Sequence, residues 1–387
     1  MKTVVLFYNA ILNPGGAERL MFEEAKFLTQ KGYRVKILTF RFNPAALFNY
    51  SNLIDLETIK DGGFLKRLYQ LRKRLKEIKP DYIIAQSAGD SHLLYLTRLN
   101  IPYLTHLHGT MFWFLDNPYK YSLIHKRVFH QIRNSLIGHR EFIPAQAPKI
   151  NPYKRMVLEL KSFLDYLAIR KSAKVIVLTK QIKWEVEKLY GVEAVISRGC
   201  LNPEIFKHES KEDIRQKYQL RDKKIILSVG RLDKRKRIDL LIKCFHQLAE
   251  KHKDAVLVIG GRGPEEENLK NLVKQLNLTD KVIFAGFIDD KDLYDYYAGC
   301  DIFAFPSWTT SGITPYEALA FGKKVVWTTE AEEPVLNHPL VFLANPNIDD
   351  FTQGLEKALE TEVSAKIDLT NSTWNNYFQR IYDLLEK

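Results

Sequence analysis

The chain has 387 residues, 45% hydrophobic and 27% charged, which excludes a disordered or collagen-like chain and supplies cores for two domains of ordinary size. No run of about eighteen apolar residues occurs, which excludes a membrane-spanning helix, and Cys200, Cys244 and Cys300 lie far apart and outside any Cys-x-x-Cys pattern, which excludes a disulfide framework or a zinc site. The net charge of +12 is uneven: residues 1–200 hold 32 Lys and Arg against 16 Asp and Glu, and the remainder is net −4. That asymmetry fits either solubility alone or a negative partner for the N-terminal half, such as an anionic membrane surface or a phosphate-bearing acceptor.

Residues 1–9 carry one lysine and a short apolar run without a small-residue cleavage site. They read as a first strand and not as a signal peptide, so a cytoplasmic protein with reduced thiols is expected. Further apolar runs follow at 33–39, 81–86, 103–108, 174–178 and 194–197. A second series lies at 224–229, 255–259, 281–285, 301–305, 324–327 and 340–343. Apolar residues on consecutive positions suit parallel strands covered on both faces. Between them lie helical patterns. Leu20, Met21, Ala25 and Leu28 share one face, as do Ile238, Leu241, Ile242, Phe245 and Leu248. Strand and helix alternating twice over predict an α/β chain of two doubly wound, Rossmann-like domains with parallel sheets. The break falls at 198–206, where Gly199, Asn202 and Pro203 are turn residues. This gives an N-terminal domain over 1–200 and a C-terminal domain over 201–370, followed by a last helix over 374–386. The segment 111–156 stands apart, with Phe112, Trp113, Phe114, Tyr119 and Tyr121 beside Lys120, Lys126, Arg127, Arg133 and Arg140. Aromatics beside cations suit a membrane interface, and the plainer reading is a helix that covers the sheet.

Several loops carry candidate chemistry. The first strand leads into Leu12-Asn13-Pro14-Gly15-Gly16-Ala17-Glu18. Paired glycines admit a ligand close to the backbone, and the N–H groups of the next helical turn point at an anion. The strand at 225–229 runs into Gly230-Arg231-Leu232-Asp233-Lys234-Arg235-Lys236-Arg237. There a guanidinium and an ammonium suit a diphosphate. The strand at 256–259 leads into Gly260-Gly261-Arg262-Gly263-Pro264, a second close-approach loop. After the strand at 301–305, Gly312 precedes a helix beginning near Pro315. Free amides at Gly312, Ile313 and Thr314 suit phosphate oxygens, and Glu317 suits the two hydroxyls of a ribose. Asp290-Lys291-Asp292 is formally a metal-binding Asp-x-Asp, but it opens a helical pattern at 293–298 and reads as a cap. Neither a metal site nor a cofactor is expected.

In order along nearly the whole chain come Gly15-Gly16, His108-Gly109, Gly230-Arg231 with Lys236, Gly261-x-Gly263-Pro264, Pro306-Ser307 and Gly312-x4-Glu317-Ala318. This series resembles that of the retaining glycosyltransferases of family 4 (GT4). The resemblance implies a GT-B fold, two Rossmann-like domains facing a cleft, with the C-terminal helix at 371–387 crossing back to the N-terminal domain. It implies catalytic roles for His108, near the transferred sugar, and for Arg231 and Lys236, at the donor diphosphate. It places Gly15, Gly16, Gly261, Gly312, Ile313 and Thr314 around the donor, and Glu317 at the ribose. Two positions depart from the family pattern. Thr309 stands where the family carries the first of two glutamates, which touches the donor sugar, and Arg237 stands where many relatives have glycine, adding positive charge near the diphosphate.

The resemblance implies transfer of a hexosyl unit from a UDP- or GDP-sugar, without a metal, to a glycan, lipid or phosphate-bearing acceptor on the N-terminal side. An anionic membrane surface is the expected place of work, peripheral on its inner face. The basic charge lacks a nucleic-acid-binding motif, so no nucleic acid is expected. Two alternatives stand beside this. One is a catalytically weak sugar-nucleotide-binding subunit of a membrane glycosylation assembly, which Thr309 keeps open. The other is a nucleotide-sugar epimerase, whose carboxylates and histidines have no evident positions in the sequence.

Overall fold

The structure is a computed structural model. It describes residues 1–12, 15–47, 50, 54–109, 151–199, 201–209, 214–307, 312–331, 333 and 335–386. The chain divides into two compact units, Met1–Gly199 with Trp374–Lys387, and Cys200–Thr373.

The first unit contains β1 (Thr3–Phe7), β2 (Ala10–Ile11), β3 (Arg34–Thr39), β4 (Arg41–Phe42), β5 (Leu56–Thr58), β6 (Tyr82–Ala85), β7 (Tyr103–Leu107), β8 (Lys174–Val177) and β9 (Ala194–Ile196). Seven of them form one sheet in the order β5-β3-β1-β6-β7-β8-β9, and β2 pairs with β4 apart from it. Every pairing is parallel. The consecutive apolar residues of β1 serve two cores. Val4 and Leu6 pack on one face with the helix Gly16–Gln30, and Val5 and Phe7 pack on the other with Leu71 and Leu75 of the helix Phe64–Ile78. Strand β5 escapes the apolar pattern because Leu-Glu-Thr is too short and too polar to show one; its place comes from backbone pairing of Leu56 opposite Ile37.

The helix Trp374–Leu385 belongs to this first unit. Trp374, Tyr377, Phe378, Ile381 and Leu385 repeat at helical spacing and bury into the same core as the helix Gly16–Gln30. Each contributes about 1.5–3 kcal/mol from apolar burial. Arg19 lies over the Trp374 ring at 4.9 Å.

The second unit holds β10 (Lys224–Val229), β11 (Ala255–Gly260), β12 (Val282–Gly286), β13 (Ile302–Phe305), β14 (Lys324–Thr328) and β15 (Val341–Ala344). Their order is β12-β11-β10-β13-β14-β15, again wholly parallel. The helices Ile238–Lys251, Glu266–Gln275 and Ile348–Glu360 cover one face, and Asp290–Gly299 and Ile313–Ala320 cover the other. The chain winds outward from β10 to β12, then jumps to β13 on the other side. Such a reversal opens a crevice at the carboxyl ends of the strands, here between β10 and β13. The first sheet reverses in the same way between β1 and β6.

Cys244 and Cys300 are buried free thiols, with burial pushing each up to about 12, and Cys200 lies outside the described residues. Among the described residues no helix is long and apolar enough to cross a membrane.

Candidate active site

In the second unit the expected donor residues gather where the sheet reverses. Strand β10 ends at Val229, and the loop that follows is tied to its neighbour. Gly230 N–H donates to the Gly260 carbonyl at 3.0 Å, and Leu232 N–H to that of Arg262 at 3.0 Å. Gly261 has φ +125°, and a Cβ there would run into the Gly230 carbonyl oxygen. This glycine is therefore demanded first by the adjoining loop, and the close approach expected for a ligand is made by protein backbone.

Arg231 is exposed at the strand exit. Lys236 closes a short 3-10 turn, Lys234–Lys236, and its ammonium lies 5.1 Å from the centre of the Phe305 ring, at the end of β13. The side chain thus spans the reversal point. Burial pushes its pKa down to about 8, opposed by the neighbouring Asp233.

Gly312 meets the same ring: a Cβ there would sit 2.9 Å from Phe305 Cε1. Gly312 is the N-cap of the helix Ile313–Ala320 and, like any glycine, offers no side-chain cap. The first-turn amides are therefore available to an anion. The helix begins at Ile313, two residues before Pro315 and directly after Gly312. Pro315 sits within the first turn, where its missing N–H has no intrahelical acceptor to lose. After β13 the Ser307 hydroxyl is buried without a hydrogen-bond partner among the described residues. Glu317 is buried on this helix and accepts a hydrogen bond from Tyr297 Oη at 2.8 Å. Nothing in the sequence pointed to Tyr297, because the partnership is set by how the helix Asp290–Gly299 packs. Thr309 lies outside the described residues, as do Asn13, Pro14 and the aromatic and basic positions singled out between 111 and 149.

Arg237 overturns an expectation. It adopts φ +48°, the left-handed conformation that glycine takes most readily, and its guanidinium is buried. Nη1 lies 2.7 Å from Glu330 Oε2 and Nη2 3.2 Å from Oε1, with a longer contact of 3.4 Å to the Pro306 carbonyl. Its charge is therefore neutralised inside the unit and not offered to a diphosphate. The expected Asp290 cap also shifts by one residue. Asp289 is the N-cap and Asp290 the first helical residue, whose side chain lies outside the described positions.

Among the described residues His252, Glu356 and Glu360 form a group with metal-ligand proximity. Lys251 Nζ already pairs with Glu356 at 2.9 Å. The group sits at the end of the helix Ile238–Lys251, which begins at the donor loops and runs back across the sheet, so it takes no part in the crevice.

In the first unit Gly15 is the N-cap of the helix Gly16–Gln30, at the carboxyl edge of its sheet. Asn9 N–H, after β1, donates at 2.9 Å to Asp90, after β6, which closes the reversal point on its other side. His108 follows β7, and its Nε2 lies 2.7 Å from Gln86 Oε1. That oxygen only accepts, so His108 donates from Nε2 and keeps its lone pair on Nδ1. Gln86 Nε2 in turn donates to Glu24 at 3.1 Å. The His106 ring is 4.1 Å from that of His108, and His106 hydrogen-bonds Tyr377 of the C-terminal helix. Burial pushes Glu24 up to about 7, His106 down to about 3, and His108 well below an ordinary histidine. Both Glu24 and His106 are fully enclosed, and the set orients His108 in neutral form. Sequence reading missed Glu24, Gln86, His106 and Tyr377, which come from four separate elements.

The two units define an α/β protein of two Rossmann-like parallel sheets, each with a reversal that opens its carboxyl edge. Residues 14–200 match Glycosyltransferase Family 4, and residues 210–373 match Glycosyl transferases group 1. The chain belongs to this glycosyltransferase family and has its GT-B fold. An uncharacterized glycosyltransferase of Methanocaldococcus jannaschii is 30% identical over 239 residues, covering 58% of this chain and 60% of that protein. One from Haemophilus influenzae is 28% identical over 335 residues, covering 84% of this chain and 80% of that one. HepE of Anabaena, solved in complex with UDP and glucose, superposes with a TM-score of 0.72 at 17% identity and full coverage of both chains.

Proposed function

We propose that the chain is a retaining, metal-independent hexosyltransferase. It takes its sugar from a UDP- or GDP-sugar and passes it to a glycan or lipid-linked acceptor at an anionic membrane surface. One observation carries the reading: Lys236 and the uncapped helix N-terminus at Gly312 meet on the Phe305 ring, where the second sheet reverses. Breaking the anomeric C–O bond leaves negative charge on the departing diphosphate. In this reading Arg231, Lys236 and the amides of Gly312, Ile313 and Thr314 stabilise that charge. Glu317, one turn into the helix, accepts from the ribose hydroxyls, and Gly261 sets the loop beside them. For the first unit the family pattern gives Gly15, Gly16 and neutral His108 the sugar-side roles. The solved relative that binds UDP and glucose supports this donor class.

The test is nucleotide release from a panel of UDP-, GDP- and ADP-sugars, with and without EDTA. Release from one nucleotide class, indifferent to EDTA and about 100-fold slower in Arg231→Ala, is expected. NMR of the product should show the donor's anomeric configuration. Release from none of the donors by folded protein contradicts the reading, and release that stops with EDTA contradicts its metal-independent part. Thr309→Glu tests the binding-subunit alternative: turnover absent from the wild type and still absent in this variant favours it.

A further inference from the structure

We propose that the helices Phe64–Ile78 and Pro152–Lys171 form one docking face for an anionic lipid bilayer. Twelve large hydrophobic residues are exposed among the described residues, and seven of them lie on these two helices. On Pro152–Lys171 they are Tyr153, Met156, Leu160 and Phe163, exposed by 51–69% at steps of three and four residues. Leu158, Ser162, Ala168 and Ile169 form the inward face. The outward face of a surface helix is ordinarily polar, so an apolar stripe on it needs a partner. The other helix presents Leu65 and Tyr69, exposed by 77% and 63%.

The two helices flank a common third one. Both pack on the helix Ala88–Thr97, and His92 on that helix joins them. Its ring lies 6.4 Å from that of Phe64, and its Nδ1 is 2.7 Å from Asp165.

Charge names the partner. These helices hold 11 Lys and Arg against 3 Asp and Glu, a net +8 within a chain of +12. Lys66, Lys73, Lys76, Lys154 and Arg155 are exposed beside the apolar residues. A bilayer with anionic headgroups takes both features at once, the apolar stripe at the acyl boundary and the bases at the phosphates. A second copy would set two net +8 surfaces against each other. A nucleic acid would satisfy the bases and leave the aliphatic stripe in water.

This face rests on the reading of the chain as a transferase with a lipid-linked acceptor, but its test needs no donor. The full chain is floated with vesicles of phosphatidylcholine alone or mixed with phosphatidylglycerol, at low and high salt. Binding to the anionic vesicles only, weakened by salt, is expected. The double variant Leu160→Glu/Phe163→Glu should lower partitioning by about tenfold or more. Lys73→Glu/Lys76→Glu should lower it by about tenfold. All four positions are exposed, and thermal melting monitored by circular dichroism should show unchanged folding. A wild-type chain that stays unbound overturns the docking face, as does a Leu160→Glu/Phe163→Glu variant that binds like wild type. Nucleotide release without vesicles separates the two ideas. Loss of vesicle binding with release intact removes the docking face alone, and vesicle binding with no release from any donor removes the transferase reading alone.

Discussion

If Lys236 holds the diphosphate as proposed, donor binding depends on pH through its ammonium. Its ammonium is desolvated before any ligand arrives, and burial lowers its pKa to about 8. A diphosphate selects the charged form. Above about 8 a proton must therefore be taken up on binding, and affinity should fall by about tenfold per pH unit until the bound-state pKa is reached. The stability sign runs the other way. A depressed lysine pKa means that the unfolded chain holds more protons between about 8 and the ordinary value of 10.5, so the free protein should gain stability across that window while donor affinity falls. Isothermal titration of UDP at several pH values checks the first effect. A flat profile between pH 7 and 9 would mean that Lys236 does not meet the diphosphate.

Arg237 acts at the scale of whole elements. Its buried pair with Glu330 and its longer contact with the Pro306 carbonyl join the loops after β10, β13 and β14. Removing Glu330 takes the bidentate carboxylate away from a buried guanidinium. Glu330→Ala should therefore cost about 3–5 kcal/mol in urea unfolding and shift the donor loops with it. A loss below about 1 kcal/mol would place the pair in solvent and restore Arg237 as a candidate diphosphate contact. The same scale decides what the sequence could disclose. Loops after strands β10, β11 and β13 were legible, because their glycines and bases follow apolar runs in the chain. The partner of Arg237 was not, since Glu330 lies 93 residues away and only sheet order brings it near. The set around His108 was hidden for the same reason, with Tyr377 arriving from the other end of the chain. The three-residue β5 was hidden because its place depends on register and not on side-chain pattern.

Across the whole molecule the two sheets repeat one plan, wholly parallel strands with a reversal that opens each carboxyl edge. The alternation of apolar runs and amphipathic stretches encoded most of that plan, since strands covered on both faces carry apolar residues on consecutive positions. Chemistry is divided between the halves: cations and amides in the second, an enclosed neutral histidine and a basic, apolar face in the first. The central claim is that the second unit grips a nucleotide through its reversal point, and calorimetric binding of UDP and GDP to the full chain in the presence of EDTA tests it most directly. Saturable binding of one of them is expected, lost in Glu317→Ala and weakened about tenfold in Tyr297→Phe, whose hydroxyl holds that carboxylate. Binding equally strong in wild type and Glu317→Ala, or no binding of either nucleotide by folded protein, would contradict it.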